Sequence, residues 1–492
     1  MLSGTRLIFL VRRPVGPIPP IRLIPLIRPI LLLAAFAVAS PHVAAHVGSP
    51  DVFVDAQAGP YHVLVTVRPP HAIPGVADVE VMSPGNELTS VQIVPLPLTG
   101  PGARFAPTPD TAVRSPDQPS RFTGHLWMMT AGAWQVRVAA HGDRGDGAIS
   151  VPVPTLPQTT LAMTPTLKAM LAVFLFLLCA GFVAIVSAIV REARLVGGEL
   201  PGSAAMRRGR IAGLAAAVLA VIVVLLGNRW WSAEASAYDR YVYKPLQAVP
   251  ALDAGRLSLT LHDPGWIGTR RIDDFVPDHD HLMHLFVMSP ALDRFWHLHP
   301  EQAATGAFAQ QLPDMPAGQY EIFGDLVHAT GVSETVTGSF STGGIRGTPL
   351  AGDDSAWGAS ADTKPVTTIR WVRDDRSPIV IRQLTLFTFR VENADGTPVD
   401  DLELYMGMPG HAVFVKTDRR VFAHVHPSGS APMAALRIAM PASAAAHAHH
   451  MAPLPPTVSF PYGFPETGDY RIFVQIKRGG RVVTGAFDAH VQ

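Results

Sequence analysis

Hydrophobic and polar positions alternate in short runs over most of the chain, as in residues 61–67 (YHVLVTV), 77–82 (ADVEVM) and 132–139 (GAWQVRVA). Side chains along a strand point to opposite faces in turn, so such runs between Pro and Gly turns predict β-strands with one buried face. Their spacing predicts sandwiches of immunoglobulin-like size. Two stretches break the alternation. Residues 167–190 are apolar apart from Lys168, and residues 211–227 form a second, shorter apolar run. About 20 apolar residues cross a bilayer, so both stretches predict transmembrane helices, with Trp230 and Trp231 as an interfacial anchor. The expected fold class is mainly β: three immunoglobulin-like β-sandwich domains, with a two-helix transmembrane hairpin between the first and second.

Charge adds a topology. Arg191, Arg194, Arg207, Arg208 and Arg210 outnumber Glu192 and Glu199 between the apolar runs, which predicts a cytoplasmic loop at 191–210 and soluble parts outside. The first 45 residues carry Arg6, Arg12, Arg13, Arg22 and Arg28 but no acid, followed by an apolar stretch and Val43-Ala44-Ala45. That is a secretory signal pattern, with the cut expected before His46. The reading is therefore a signal peptide (1–45), domain one (46–155), a membrane hairpin (166–228), domain two (250–345), a Gly/Ala/Ser/Asp-rich linker (346–361) and domain three (362–492). The chain is expected in a bacterial inner membrane with its bulk in the periplasm.

Composition narrows the chemistry. Lys and Arg together number 39, as do Asp and Glu, so no net field favours nucleic acid. The single cysteine, Cys179, lies in an apolar run, which excludes a disulfide framework and a Cys-based zinc site. Histidine, methionine and carboxylates remain as metal ligands.

The 20 histidines cluster, and the cluster is duplicated. His284 is followed 13 residues later by His297-Leu298-His299-Pro300; His411 is followed at the same interval by His424-Val425-His426-Pro427. The strands PAGQYEIFGDL and ETGDYRIFVQI come next in the two copies. Chance hardly supplies one spacing twice inside matching strand patterns. Alternation puts both histidines of each H-x-H on one face. A hairpin folded midway would set His284 opposite His297 and His411 opposite His424, with Cβ atoms about 5 Å apart, close enough to share an ion at about 2.0 Å. Each repeat is thus expected to offer three converging imidazoles, unless the register slips by one residue. The plain alternative is half-buried strand histidines bonded to backbone carbonyls.

Further candidates surround these. Asp278-His279-Asp280-His281, Met283, Met288 and His328 flank the first set; Met406 and Met408 precede the second, and a loop adds His447, His449, His450 and Met451. Thioethers suit Cu(I), and imidazole suits Cu(II) and zinc. A mature terminus at His46 would pair an α-amine with an imidazole, with a third nitrogen from His62, His71, His125 or His141.

The block GHAVFVKTDRRVFAHVHP, with GDYRIFVQI and RVVTGAFDAHV, resembles bacterial exported β-sandwich domains of the YtkA-like and FixH-like kind, over about residues 380–492 and more loosely 255–342. The resemblance implies an immunoglobulin-like scaffold in a periplasmic, copper-related setting, often without catalysis. A start at His46 resembles CopC-like copper carriers, although no matching H-x-H follows in domain one. The combined expectation is a membrane-anchored periplasmic protein that binds, buffers or transfers copper, with zinc as the alternative ion and a periplasmic copper-handling protein as partner. Its rivals are a His-ligated copper or zinc oxidoreductase, with Asp278, Asp280 and Asp293 as acids, and a metal-free scaffold of a membrane complex.

Overall fold

The structure is a computed structural model and describes residues 51–85, 87–266, 270–358, 367–373, 377–440 and 453–492. His46, the signal segment, His447, His449 and His450 lie outside the described residues. Strands dominate the rest. In the first module, one sheet runs in the order Val52–Ala58, Tyr61–Arg68, Gly75–Met82, Arg121–Met128, Val113–Arg114. The other runs Asp110–Thr111, Leu88–Pro97, Gly132–Gly142, Gly145–Thr155. Alternate valines from both sheets, among them Val63, Val65, Val79, Val136 and Val151, make one core. Each such side chain contributes about 1.5–3 kcal/mol on full burial.

The helices Pro165–Glu192 and Ser203–Tyr238 follow, both long and apolar enough to cross a membrane. Thr164 caps the first, its hydroxyl oxygen accepting from the Leu167 N–H. None of its side chains is buried, so its apolar surface faces outward. Gly209 and Gly213 of the second helix let the backbones approach, and the Ser187 hydroxyl donates to the Gly209 carbonyl at 2.9 Å. The expected loop at 191–210 is shorter here. The second helix starts at Ser203, takes in Arg207, Arg208 and Arg210, and runs past Trp230 and Trp231 to Tyr238. Both extensions are rich in Ala, Arg and Ser and contain no proline, so nothing stops the helix there. The Tyr243 N–H donates to the Pro157 carbonyl at 2.7 Å, which ties the exit of the second helix to the approach of the first. The modules on either side of the helices therefore lie at the same end of the pair.

The second module is a nine-stranded sheet. Its last four strands, in order, are Gly318–Val327, His284–Met288, Phe295–Leu298 and Ser355–Trp357. The last of these comes from the stretch expected to be linker, and it pairs Ser355 with His297 and Trp357 with Phe295. In the third module the strands Thr367–Val372, Thr385–Asn393 and Thr457–Tyr462 form one sheet. A second sheet holds His411–Lys416 between Gly468–Arg478 and Phe422–Val425. The first module grips the third. Phe53 joins the third core, Ser430 exchanges two hydrogen bonds with Phe53, and Leu436 of the helix Met433–Ala439 enters the first core. Gly429, at φ 124°, passes so close to the Phe53 carbonyl that a Cβ would overlap its oxygen.

The two duplicated hairpins meet face to face. One face of each fills its own core: Leu285, Val287, Trp296 and Leu298 in the second module, Ala412, Phe414, Ala423 and Val425 in the third. The opposite faces share a cluster of Phe286, Met288 and Phe295 with Val413, Val415 and Phe422. Contacts come in reciprocal pairs, as at a two-fold interface. Phe295 stacks on Phe473 at 4.3 Å, and Phe422 stacks on Phe323 at 4.6 Å. The histidines occupy the other end of these same faces.

Candidate metal centre

Strand pairing places Phe286 opposite His297 and Val413 opposite His424. Two steps along each ladder, one past the last paired residues Leu285 with Leu298 and Ala412 with Val425, the register sets His284 across from His299 and His411 from His426. The expected pairings, His284 with His297 and His411 with His424, are therefore off by two residues. The connecting loops turn later than expected, with Leu292 and Arg419 in the left-handed region at φ 55° and 62°. Because the side-chain period is two, a shift of two leaves every imidazole on its face.

Docking of the hairpins then gathers eight imidazoles. His284 and His297 lie 5.3 Å apart between ring centres, His297 and His424 5.7 Å, His411 and His424 5.4 Å, and His411 and His426 4.9 Å. His281 stacks on His299 at 4.0 Å, and His279 approaches His411 at 5.1 Å and His426 at 4.8 Å. Two triads have ligand atoms within 4.8 Å of one another: His284, His297 and His299, and His279, His411 and His426. The first is the set expected for the first repeat. In the second, His279 from the other repeat stands in for the expected His424, which lies between the triads. The centre is thus shared across the interface, where two separate sites were expected.

Neighbouring groups dictate where the lone pairs point. Carbonyls and carboxylates can only accept, so the ring nitrogen facing each must carry the proton. His284 Nε2 donates to the Asp278 carbonyl at 3.0 Å, His299 Nδ1 to Asp354 at 3.0 Å, and His279 Nδ1 to the Met406 carbonyl at 2.6 Å. Gln475 Oε1 lies 3.0 Å from His297 Nδ1. His284 Nδ1 and His297 Nε2 are then left facing each other, 3.1 Å apart, both with lone pairs. Two such nitrogens repel unless a cation sits between them. On one ion with ligands at about 2.0–2.1 Å in tetrahedral geometry they would be about 3.3 Å apart. His279 Nε2, His299 Nε2 and His424 Nε2 are buried with no hydrogen-bond partner in the protein, as are both ring nitrogens of His411 and at least one of His426. An unpaired buried polar group costs about 1–3 kcal/mol, so several together fit a site built for an ion.

Electrostatics favour the ligand form. Burial first, and then the neighbouring imidazoles, push His284, His297, His411 and His426 well below the usual 6.5. Burial also lowers His279 and His299. Neutral imidazole is the metal-binding form. His279 and Asp280 take φ of 51° and 69°, a left-handed turn that projects the His279 ring toward the other repeat.

Several orienting residues escaped the sequence reading. Asp354 accepts from both the backbone N–H and Nδ1 of His299, Tyr405 sets its hydroxyl 3.3 Å from His297 Nδ1, and Asp325 lies 3.4 Å from His424 Nδ1. Asp325 and Gln475 occupy matching positions in the strands YEIFGD and YRIFVQ, and each orients a histidine of the other repeat. Replacing Asp354 by alanine is expected to weaken the first triad's ion about 10–100-fold in a competition titration against a chelator, with the second triad unaffected. His328 does not join the centre. Its Nδ1 is held by Asp274 at 2.7 Å and its ring packs on Phe275. His62, His125 and His141 pair with Asp55, Asp78 and Asp146 on the first module's surface, and His71 with Gln158.

Among the described residues, these features define a strand-rich protein with two helices of membrane-crossing length and two three-imidazole groups able in principle to coordinate metal. Residues 368–492 match a family described as a domain of unknown function, DUF8832. A search of curated proteins returned no match. Among solved structures, an engineered protein aligns over 20% of this chain and 20% of its own at 14% identity and a TM-score of 0.15. Dimeric latent PorU from Porphyromonas gingivalis aligns over 85% of this chain and 32% of its own, at 9% identity and a TM-score of 0.13. The fibronectin(III)-like modules of Clostridium thermocellum CbhA align over 49% and 86%, at 6% identity and a TM-score of 0.13. The chain thus spans about a fifth and about a third of the first two. At such TM-scores none of these likenesses bears on function.

Proposed function

We propose that this chain is a membrane-anchored periplasmic protein that binds copper between its second and third modules and buffers or transfers it. One observation carries the reading: hydrogen-bond acceptors around His279, His284, His297 and His299 leave the free nitrogens of the last three converging on one another and that of His279 grouped with the rings of His411 and His426. When bound, the ion would bridge imidazoles that otherwise repel, and the residues of both modules would hold it. Copper is favoured over zinc because Met406 and Met408 stand in the second repeat where His279 and His281 stand in the first, 127 positions on, so soft-ligand residues take the places of two histidines in the repeat pattern. The reading takes each module as immunoglobulin-like and the last two as relatives of the YtkA-like and FixH-like domains. The arginines where the two helices adjoin, Arg191, Arg194, Arg207, Arg208 and Arg210, favour a cytoplasmic position for that end, which leaves the modules on the outer side, where a periplasmic partner would receive the ion. Full-length protein purified in detergent without added metal is expected to hold about two copper ions, one per triad, by elemental analysis. Protein that holds zinc, or that takes up no metal when copper is added, would overturn the proposal.

A further inference from the structure

We infer that the ion reaches both triads through one cavity at the junction of the three modules, and that Asp325 is the carboxylate that receives it. The inference rests on the copper reading. The cavity measures about 150 Å³, well above the roughly 10–15 Å³ that a single water needs, so a partly hydrated cation fits. Its lining includes Pro154 of the first module with Leu156 directly after it, Asp325 of the second, and three centre imidazoles, His284, His424 and His426. His284 belongs to the first triad and His426 to the second. His424 stands between them, with its ring 5.3 Å from His284 and 4.6 Å from His426, and its Nε2 is buried without a partner.

Three carboxylates line the same cavity, and two are buried, Asp278 at 6% exposure and the Glu334 side chain at 1%. Asp278 accepts from the Ala434 N–H at 2.7 Å, and Glu334 is paired with Arg270 at 3.2 Å. Asp325 keeps one oxygen on the Thr335 hydroxyl at 2.7 Å and turns the other toward His424 Nδ1 at 3.4 Å. Its side chain is 22% exposed, whereas that of His424 is 6% exposed, so the carboxylate is the first ligand an incoming cation meets. The step is ligand exchange without redox change: Asp325 displaces water from the cation, His424 displaces Asp325, and either triad completes the transfer. The first module, which has no H-x-H of its own, supplies an outer wall of the passage through Leu156.

Stopped-flow copper uptake by the full-length chain in detergent tests this. Asp325→Asn is expected to slow loading about tenfold or more, the scale on which a focusing charge raises on-rates, and to leave about two ions bound at equilibrium. Leu156→Trp should slow loading and Leu156→Ala hasten it, again at unchanged stoichiometry. If all three variants load at the wild-type rate, the route is wrong. If Asp325→Asn binds one ion fewer, the residue is a permanent ligand and the relay is wrong. A wild-type chain that takes up no copper would overturn the metal reading itself, a result distinct from either.

Discussion

A chain carrying both His299→Ala and His426→Ala is expected to bind no copper where the native chain binds about two ions, and each single variant should bind about one. His299 belongs only to the first triad and His426 only to the second. The His299 side chain is 4% exposed and His426 is 2% exposed, and each presents a nitrogen without a partner, so removing it leaves two ligands and an apolar gap that no solvent-exposed side chain can fill. His424→Ala separates the shared centre from the two isolated sites drawn from sequence. It lies in neither triad, so this variant should still hold two ions, whereas a site built from the second repeat alone would lose one. Stability reports the same contrast. An ion at about 1,000 times its Kd stabilises the folded state by about 4 kcal/mol, so copper should raise the Tm of the native chain and leave the double variant unmoved. Two ions retained by the double variant would exclude both triads.

What the amino-acid pattern revealed follows from periodicity. Alternation located the strands, apolar length located the helices, and the repeated interval between His284 and His297 located the hairpins, because each of these is a local property of the chain. The register was not local. It depends on loops in which Leu292 and Arg419 adopt positive φ, which neither residue type advertises. The error was two residues, an even number, so the imidazoles still converged although their partners changed. The role of His279 was hidden for another reason. Its ring faces His411 and His426 across an interface between repeats, and nothing within ten residues of it encodes that docking. Asp354 and Ser355 were lost in a stretch whose composition reads as linker, because an edge strand three residues long leaves no period to detect. Tyr405, Asp325 and Gln475 become readable only when one repeat is laid on the other, which sets Tyr405 over Asp278 and Gln475 over Asp325.

Acidification of the metal-free chain from pH 7.5 to 5 is expected to open the interface between the second and third modules, and the transition should begin near pH 6.5. Burial, aided in most cases by neighbouring imidazoles, holds His279, His284, His297, His299, His411 and His426 below 6.5 in the folded chain. Once exposed, the same rings take up protons near 6.5. Below that pH the open state binds more protons than the docked state, so stability falls as pH falls; above it both states are neutral and the effect vanishes. Each ring contributes up to about 1.4 kcal/mol per pH unit between its exposed and folded values. The slopes of rings that stay neutral in the docked state add, so the loss of stability steepens with each of them. Copper should move the transition to lower pH, because metal and proton compete for the same lone pairs. Near-ultraviolet circular dichroism follows the change, since the aromatic pairs Phe295 with Phe473 and Phe323 with Phe422 lie in the interface. A signal that stays flat over this range in chelator-treated protein would mean that the imidazoles are not held neutral by burial. Opening at the same pH with and without copper would mean that the ion does not bind to them.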